Sequence, residues 1–174
     1  MKVIVLTGPE SSGKSCLVAA LAARYGAPAV NEYVRQYIDE QRRETCYADI
    51  SVIAQGQLAA EDRARTQEPP LLLLDTHLLS NILWSRTLFN DCPTWIEPAL
   101  LERRYNLHLL LSPDDVDWID DDQRCQPDLA QRRQFFRQCE SWLQSHAQPY
   151  QVIRGSWQQR QDQTMAAVEA LLAQ

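Results

Sequence analysis

The sequence predicts an α/β sandwich on a parallel sheet. Three observations carry this. Strand-like apolar runs alternate with segments of helical spacing along the chain. Leu71 to Leu74 is apolar throughout, the pattern of a strand buried on both faces. A glycine-bearing turn, Gly8 to Gly13, joins the β-branched run Val3-Ile4-Val5-Leu6 to a helical pattern.

The elements follow in order. Strand one covers Lys2 to Leu6, and a helix from Lys14 to Tyr25 stops at Gly26. A short strand lies near Pro28–Asn31, with a helical region after Glu32. The next helix, capped by Asp49, carries Ile50, Ile53, Leu58 and Ala59 towards Arg65. Glu68-Pro69-Pro70 ends it, and the Leu71–Leu74 strand closes at Asp75. Helical spacing resumes from Leu78 to Phe89, and a further helix is capped at Thr94 and ends near Tyr105. Leu107–Leu111 is the fourth strand, stopped by Pro113. Asp114 to Asp128 is acidic and poorly periodic, which predicts a long loop. Leu129 to His146 is a helix with Phe135, Phe136, Cys139, Trp142 and Leu143 inward. Tyr150–Ile153 is the last strand. Ser156 caps a terminal helix bearing Met165, Val168, Leu171 and Leu172. Trp84, Trp95 and Trp142 fall on apolar helical faces and read as core.

A chain of 174 residues predicts one domain, residues 1–174, with a sizeable core. The net charge of −6 argues against a protein built mainly to grip nucleic acid. No apolar run reaches membrane-span length, and the N-terminal run is a strand rather than a leader. The five cysteines are scattered and form no C-x-x-C pair, so they read as reduced thiols in the cytoplasm. His77, His108 and His146 lie far apart and make no ligand spacing.

Gly8-Pro9-Glu10-Ser11-Ser12-Gly13-Lys14-Ser15 fits G-x-x-x-x-G-K-[ST], the phosphate-binding P-loop. Glycines let backbone N–H groups close on a polyphosphate, and the following helix presents its positive dipole end. Lys14 reaches β- and γ-phosphates, Ser15 ligates Mg²⁺, and Cys16 follows in the first helical turn. The fold expected is a P-loop NTPase three-layer sandwich, its parallel sheet five-stranded, with ATP and Mg²⁺ as cofactors.

Ligands of such sheets sit beyond the carboxyl ends of the strands. There Asp75 either holds Mg²⁺ or caps the next helix. Glu32 either accepts a proton from an attacking hydroxyl or binds a sugar hydroxyl. Arg35 pairs with Glu32 or meets an anion. The loop Asp117-Trp118-Ile119-Asp120-Asp121-Asp122-Gln123-Arg124, with Arg132 and Arg133 beyond it, suits an arginine-bearing lid over about residues 114–133. Trp118 either stacks on a flat heterocycle or packs under the loop. Trp157 and Arg160 follow the last strand, where an adenine base would rest.

Among P-loop proteins, a GTPase would offer D-x-x-G and N-K-x-D. Asp75-Thr76-His77-Leu78 lacks the glycine, and no N-K-x-D occurs. A larger AAA+ motor needs a helical second domain that this length does not house. Compact small-molecule kinases with arginine-bearing lids fit better; a non-transferring regulatory ATPase has no need of such a lid.

The P-loop, Glu32-Tyr33-x-Arg35, Gly56-Gln57, Leu74-Asp75-Thr76, Trp118-Ile119-Asp120-Asp121 with Arg124, and Gln131-Arg132-x-x-Phe135 together resemble the ribosylnicotinamide kinase domain of NadR-type proteins. The resemblance spans nearly the whole chain in unchanged order. It implies a nucleoside-kinase-like fold and phosphorylation of the 5′-hydroxyl of nicotinamide riboside by ATP, a step of NAD salvage. It also implies roles for individual residues. Lys14 and Ser15 serve phosphates and Mg²⁺, Asp75 serves metal or substrate, and Glu32 is base or ribose contact. Tyr33, Arg35 and Asp121 lie at the substrate, Arg124 and Arg132 are lid arginines, and Trp118 meets the nicotinamide. The chain departs from that family at His77, where a second acid is common, and at Asp122, where a glycine is common. No H-x-G-H motif occurs, so nicotinamide mononucleotide adenylylation is not expected. The oligomeric state stays open.

Overall fold

The computed structural model describes residues 1–174. Its strands are β1 (Lys2–Thr7), β2 (Ala29–Val30), β3 (Leu71–Asp75), β4 (Leu107–Leu111) and β5 (Tyr150–Ile153). All pair in parallel in the order β2-β3-β1-β4-β5. Parallel pairing requires a crossover between strands, and the helices supply it. They are α1 (Lys14–Tyr25), α2 (Tyr33–Gln41), α3 (Tyr47–Arg65), α4 (Leu78–Phe89), α5 (Ile96–Leu101), α6 (Leu129–Ser145) and α7 (Trp157–Leu172).

Alternate side chains of each strand face opposite ways and feed two cores. Ile4, Leu6, Leu71, Leu73, Leu109, Leu111 and Ile153 pack with Leu17, Val18 and Leu21 of α1 and Val168 of α7. Val3, Val5, Leu72, Leu74 and Leu110 pack with α3, α4, α5 and α6. The three-layer α/β sandwich expected from the sequence is therefore the fold. The register sets Leu6 opposite Asp75 and Thr7 opposite Leu110, so β1, β3 and β4 deliver their carboxyl ends to one place.

Several local expectations need correction. Asp49 does not cap α3 but stands at its third position. Its Oδ2 accepts the N–H of Cys46, the true cap, at 2.8 Å. It also takes Arg43 Nη1 at 2.6 Å, while Oδ1 takes the Tyr37 hydroxyl at 2.6 Å, which fixes the α2–α3 corner. Trp95 rather than Thr94 caps α5, and that helix ends at Leu101 instead of running to Tyr105. The buried Glu61 draws the following residues away: it meets Arg103 Nη1 at 3.2 Å and the Tyr105 hydroxyl at 3.2 Å. Leu172 faces solvent. β2 keeps only two of the four expected residues.

Candidate functional site

The P-loop hangs from the end of β1. A side chain at Gly8 (φ +133°) would put its Cβ 2.6 Å from the Leu111 carbonyl oxygen. At Gly13 (φ +91°) the Cβ would fall 2.8 Å from the Trp157 ring. Both glycines are therefore dictated by close approach as well as by φ. Ser12 Oγ donates to Pro9 O at 2.8 Å, and Lys14 Nζ donates to Pro9 O at 2.7 Å and Gly8 O at 3.1 Å. No side chain caps the start of α1, so its first N–H groups remain free for an anion.

Ser15 Oγ donates to Asp75 Oδ2 at 2.5 Å. Asp75 is 4% exposed, and its Oδ1 is buried without a hydrogen-bond partner. A hydroxyl and a carboxylate with an unused oxygen form the hard donor set that Mg²⁺ takes alongside phosphate oxygens and water. No cluster of three or more His, Cys, Asp or Glu competes as a metal site.

Glu32 sits at the turn from β2 into α2. Gln57 of α3 holds that turn by accepting the Tyr33 N–H on Oε1 at 2.8 Å. Its neighbour Gly56 makes room for the Tyr33 ring, which would lie 2.1 Å from a Cβ at that position. The Gly56-Gln57 pair thus anchors Glu32 from a distant helix. Burial pushes the Glu32 carboxyl above its ordinary range; Lys14 pulls it back and Asp75 adds to the rise. Arg35 Nε lies 3.4 Å from Glu32, and its Nη1 meets Asp121 Oδ2 at 2.9 Å. Arg124 Nε meets the same Asp121 oxygen at 3.1 Å.

The loop after β4 is gripped by two variable positions of the P-loop. Glu10 Oε1 accepts Trp118 Nε1 at 2.7 Å and the Gln126 N–H at 2.7 Å, and Oε2 accepts the Cys125 N–H at 3.1 Å. Ser11 Oγ donates to Asp117 O at 3.1 Å and accepts the Ile119 N–H at 3.0 Å. Asp122 has φ +62°, the left-handed conformation that glycine adopts freely.

P-loop, Glu32 and Arg124 line one cavity of about 200 Å³. Beyond them it opens into a chamber walled by Val34, Ile38, Ile50, Ile53, Trp84 and Leu88, with Thr45, Ser80 and Asn81 as neutral polar groups. Sequence reasoning missed this wall. Trp84 reads as core from its spacing, and it does touch core, with its ring 5.0 Å from that of Phe135. It also lines the cavity.

Other expected site residues lie elsewhere. Trp118 is not on the cavity wall; its indole is committed to Glu10. Arg132 belongs to the first turns of α6, is 4% exposed, and does not line the cavity. Its Nε and Nη1 are buried without partners. Arg160 does not face an adenine position. It is fully buried and donates to four backbone carbonyls, those of Gly155, Ser12, Ser112 and Asp114. Trp157 is 41% exposed, against Gly13 of the P-loop. His77 and His108, distant in sequence, meet with their Nε2 atoms 3.2 Å apart. Burial lowers both, His77 well below its ordinary value and His108 to about 4, so they form a neutral pair. His108 Nδ1 faces the Pro149 carbonyl at 3.0 Å, and His77 takes no place at the cavity.

An AAA domain model matches residues 3–160. The trifunctional NAD biosynthesis/regulator protein NadR of Escherichia coli (strain K12) is 26% identical over 141 residues, 78% of this chain and 34% of that protein. A crystal structure of NadR protein in complex with NR superposes with a TM-score of 0.80 at 21% identity, covering 99% of this chain and 52% of that one. Deoxyadenosine kinase from M. mycoides with bound dATP gives a TM-score of 0.66 at 12% identity, covering 97% of this chain and 100% of that one. The chain thus spans about a third of the curated relative and half of the solved NadR chain. The fold is that of nucleoside kinases and NadR, and the sequence resemblance to NadR holds over most of the chain. By the match over residues 3–160, the chain belongs to the AAA domain family.

Proposed function

We propose that the chain is a kinase that transfers the γ-phosphoryl group of ATP to the 5′-hydroxyl of nicotinamide riboside, giving nicotinamide mononucleotide and ADP. One observation carries the reading. Glu32 is a half-buried carboxylate, its side chain 19% exposed, whose pKa is raised by desolvation, in a cavity that joins the P-loop to an apolar chamber. A hydrolase needs no such chamber, whereas a kinase must seat an acceptor beside its base. Similarity to NadR, an NAD biosynthesis/regulator protein solved in complex with NR, supports the choice of acceptor.

The P-loop N–H groups and Lys14 cradle the triphosphate, with Trp157 packed against Gly13 of the loop. Ser15 and Asp75 would hold Mg²⁺, which, when bound, neutralises charge on the β- and γ-phosphates. Glu32 takes the proton of the 5′-hydroxyl as that oxygen forms its bond to the γ-phosphorus. The bond from phosphorus to the β–γ bridging oxygen breaks, and ADP leaves with its electron pair. Arg124, held over the P-loop by the loop's bonds to Glu10 and Ser11, stabilises charge on the transferred group. Arg132, buried and outside the cavity lining, takes no step here. Arg35 lines the cavity and is tied to Asp121, while Tyr33 lies outside the lining, packed on Gly56. The five free thiols suit a cytoplasmic setting. No helix is long and apolar enough to cross a membrane.

The test is direct. Incubation with Mg-ATP and nicotinamide riboside should yield the mononucleotide by mass spectrometry. No product there, with ADP release on a different nucleoside, overturns the reading.

A further inference from the structure

The α4 wall of the chamber carries chemistry that phosphoryl transfer itself does not use. Asn81, Trp84 and Leu88 recur at i, i+3 and i+7, so one stripe of α4 faces the cavity. At about 1.5 Å of rise per residue, the stripe from Asn81 to Leu88 runs roughly 10 Å along the helix. Phe135 backs the Trp84 indole at a 38° tilt, which steadies the ring from behind. The Asn81 side-chain amide is part-buried, faces the cavity and makes no hydrogen bond to the rest of the chain.

The cations on the cavity wall are already engaged. The cations lining the cavity are Lys14, Arg35 and Arg124. Lys14 sits on the P-loop carbonyls, and both arginines converge on Asp121. The polar groups in the chamber, Thr45, Ser80 and Asn81, are all neutral.

We infer that Asn81 and Trp84 select a flat ring bearing a neutral carboxamide and disfavour the same ring bearing a carboxylate. The inference rests on the kinase reading above. A carboxamide offers a donor and an acceptor, as does the Asn81 side chain, so the two can pair at two points. A carboxylate only accepts; it would lose water at this wall without gaining a cation, which is costly. The indole face supplies stacking for the ring and favours one that carries positive charge, as a pyridinium does.

The experiment measures kcat/KM for nicotinamide riboside and nicotinic acid riboside at fixed Mg-ATP. It uses the wild type, Asn81→Leu and Asn81→Lys. The wild type should favour the amide by about tenfold or more, as one unpaired buried polar group costs. Asn81→Leu should lose most of that preference through a higher KM for the amide, and Asn81→Lys should shift it towards the acid. The amide-to-acid ratio is internal to each variant, so partial loss of fold cancels. Equal use of both ribosides by the wild type, or an unchanged ratio in both variants, overturns the inference and leaves the kinase reading standing. Phosphorylation of neither riboside, with ATP binding intact, overturns the kinase reading and the inference with it.

Discussion

Trp118 Nε1 donates to Glu10 Oε1 across 2.7 Å, and that bond joins the loop after β4 to a variable position of the P-loop. Glu10 also accepts the N–H groups of Cys125 and Gln126, so one carboxylate holds the loop on both sides of Arg124. A P-loop needs its glycines, lysine and hydroxyl for phosphate. Here the intervening residues do a second job, placing the arginine.

Glu10→Ala should therefore misplace Arg124 without removing it. The expected result is a roughly tenfold fall in kcat, with a smaller change in the KM for ATP, because a positioning contact chiefly serves the transition state. Steady-state kinetics check it. Trp118 emission should shift as the indole loses its partner. A change in KM alone would mean that Glu10 serves ATP binding instead.

Gly56→Ala should act on catalysis from a helix away. The new Cβ would lie 2.1 Å from the Tyr33 ring, which must move, and Tyr33 directly follows Glu32. Overpacking of this kind costs about 1–3 kcal/mol in stability. Thermal melting should show that loss, and kcat should fall with it. Gly56→Ala combined with Tyr33→Leu should recover part of both, since the smaller side chain relieves the clash.

How much of this was legible in the sequence follows from how local each signal is. The P-loop and the strand ending at Asp75 are contiguous stretches, and the register brings Ser15 and Asp75 together as expected. Of the two partners open to Arg35 in the sequence, Glu32 or an anion, the Glu32 contact appears, at 3.4 Å. Contacts between elements were not legible. Helical spacing marks Trp84 as inward, but inward at that point includes the cavity as well as core. His77 and His108 come together only because β3 and β4 flank β1. Arg160 lies near the last strand as read, yet it turns inward to backbone carbonyls. Trp118 has one indole N–H, and Glu10 takes it.

The pH dependence of activity should report Glu32. As the proposed base it works deprotonated, and burial raises its pKa in the folded chain. The acidic limb of kcat/KM should thus lie above the ordinary glutamate range. Glu32→Gln should flatten that limb and lower kcat by about 10²–10⁴-fold. Stability carries the opposite sign. A pKa raised by folding means the favourable contribution is present below the unfolded value and is lost as pH rises through the folded one. Glu32→Gln should therefore melt higher than the wild type at neutral pH, with the difference shrinking in acid. Melting curves at several pH values check this.

Arg160 ties four segments around the P-loop together from inside. Its guanidinium is fully buried and donates to Gly155 O at 2.7 Å, Ser112 O at 2.9 Å and Ser12 O at 3.4 Å, with Asp114 O as a fourth acceptor. Those carbonyls belong to the turn before α7, the end of β4, the P-loop and the start of the loop after β4. Burial lowers the arginine pKa, offset in part by Asp115 and Asp114, but no acid forms a salt bridge with it. The carbonyls do the work of a counter-ion by turning their negative ends inward. Arg160→Met would keep volume and strand all four, so a loss of about 3–5 kcal/mol is expected. Arg160→Lys should fall between the two, because an ammonium has three donors and no planar fork. Denaturant midpoints should rank wild type, Lys and Met in that order. The KM for ATP should rise in the same order, since Ser12 loses the contact that fixes the P-loop to β4. If both variants melt with the wild type, the clamp holds nothing that folding needs.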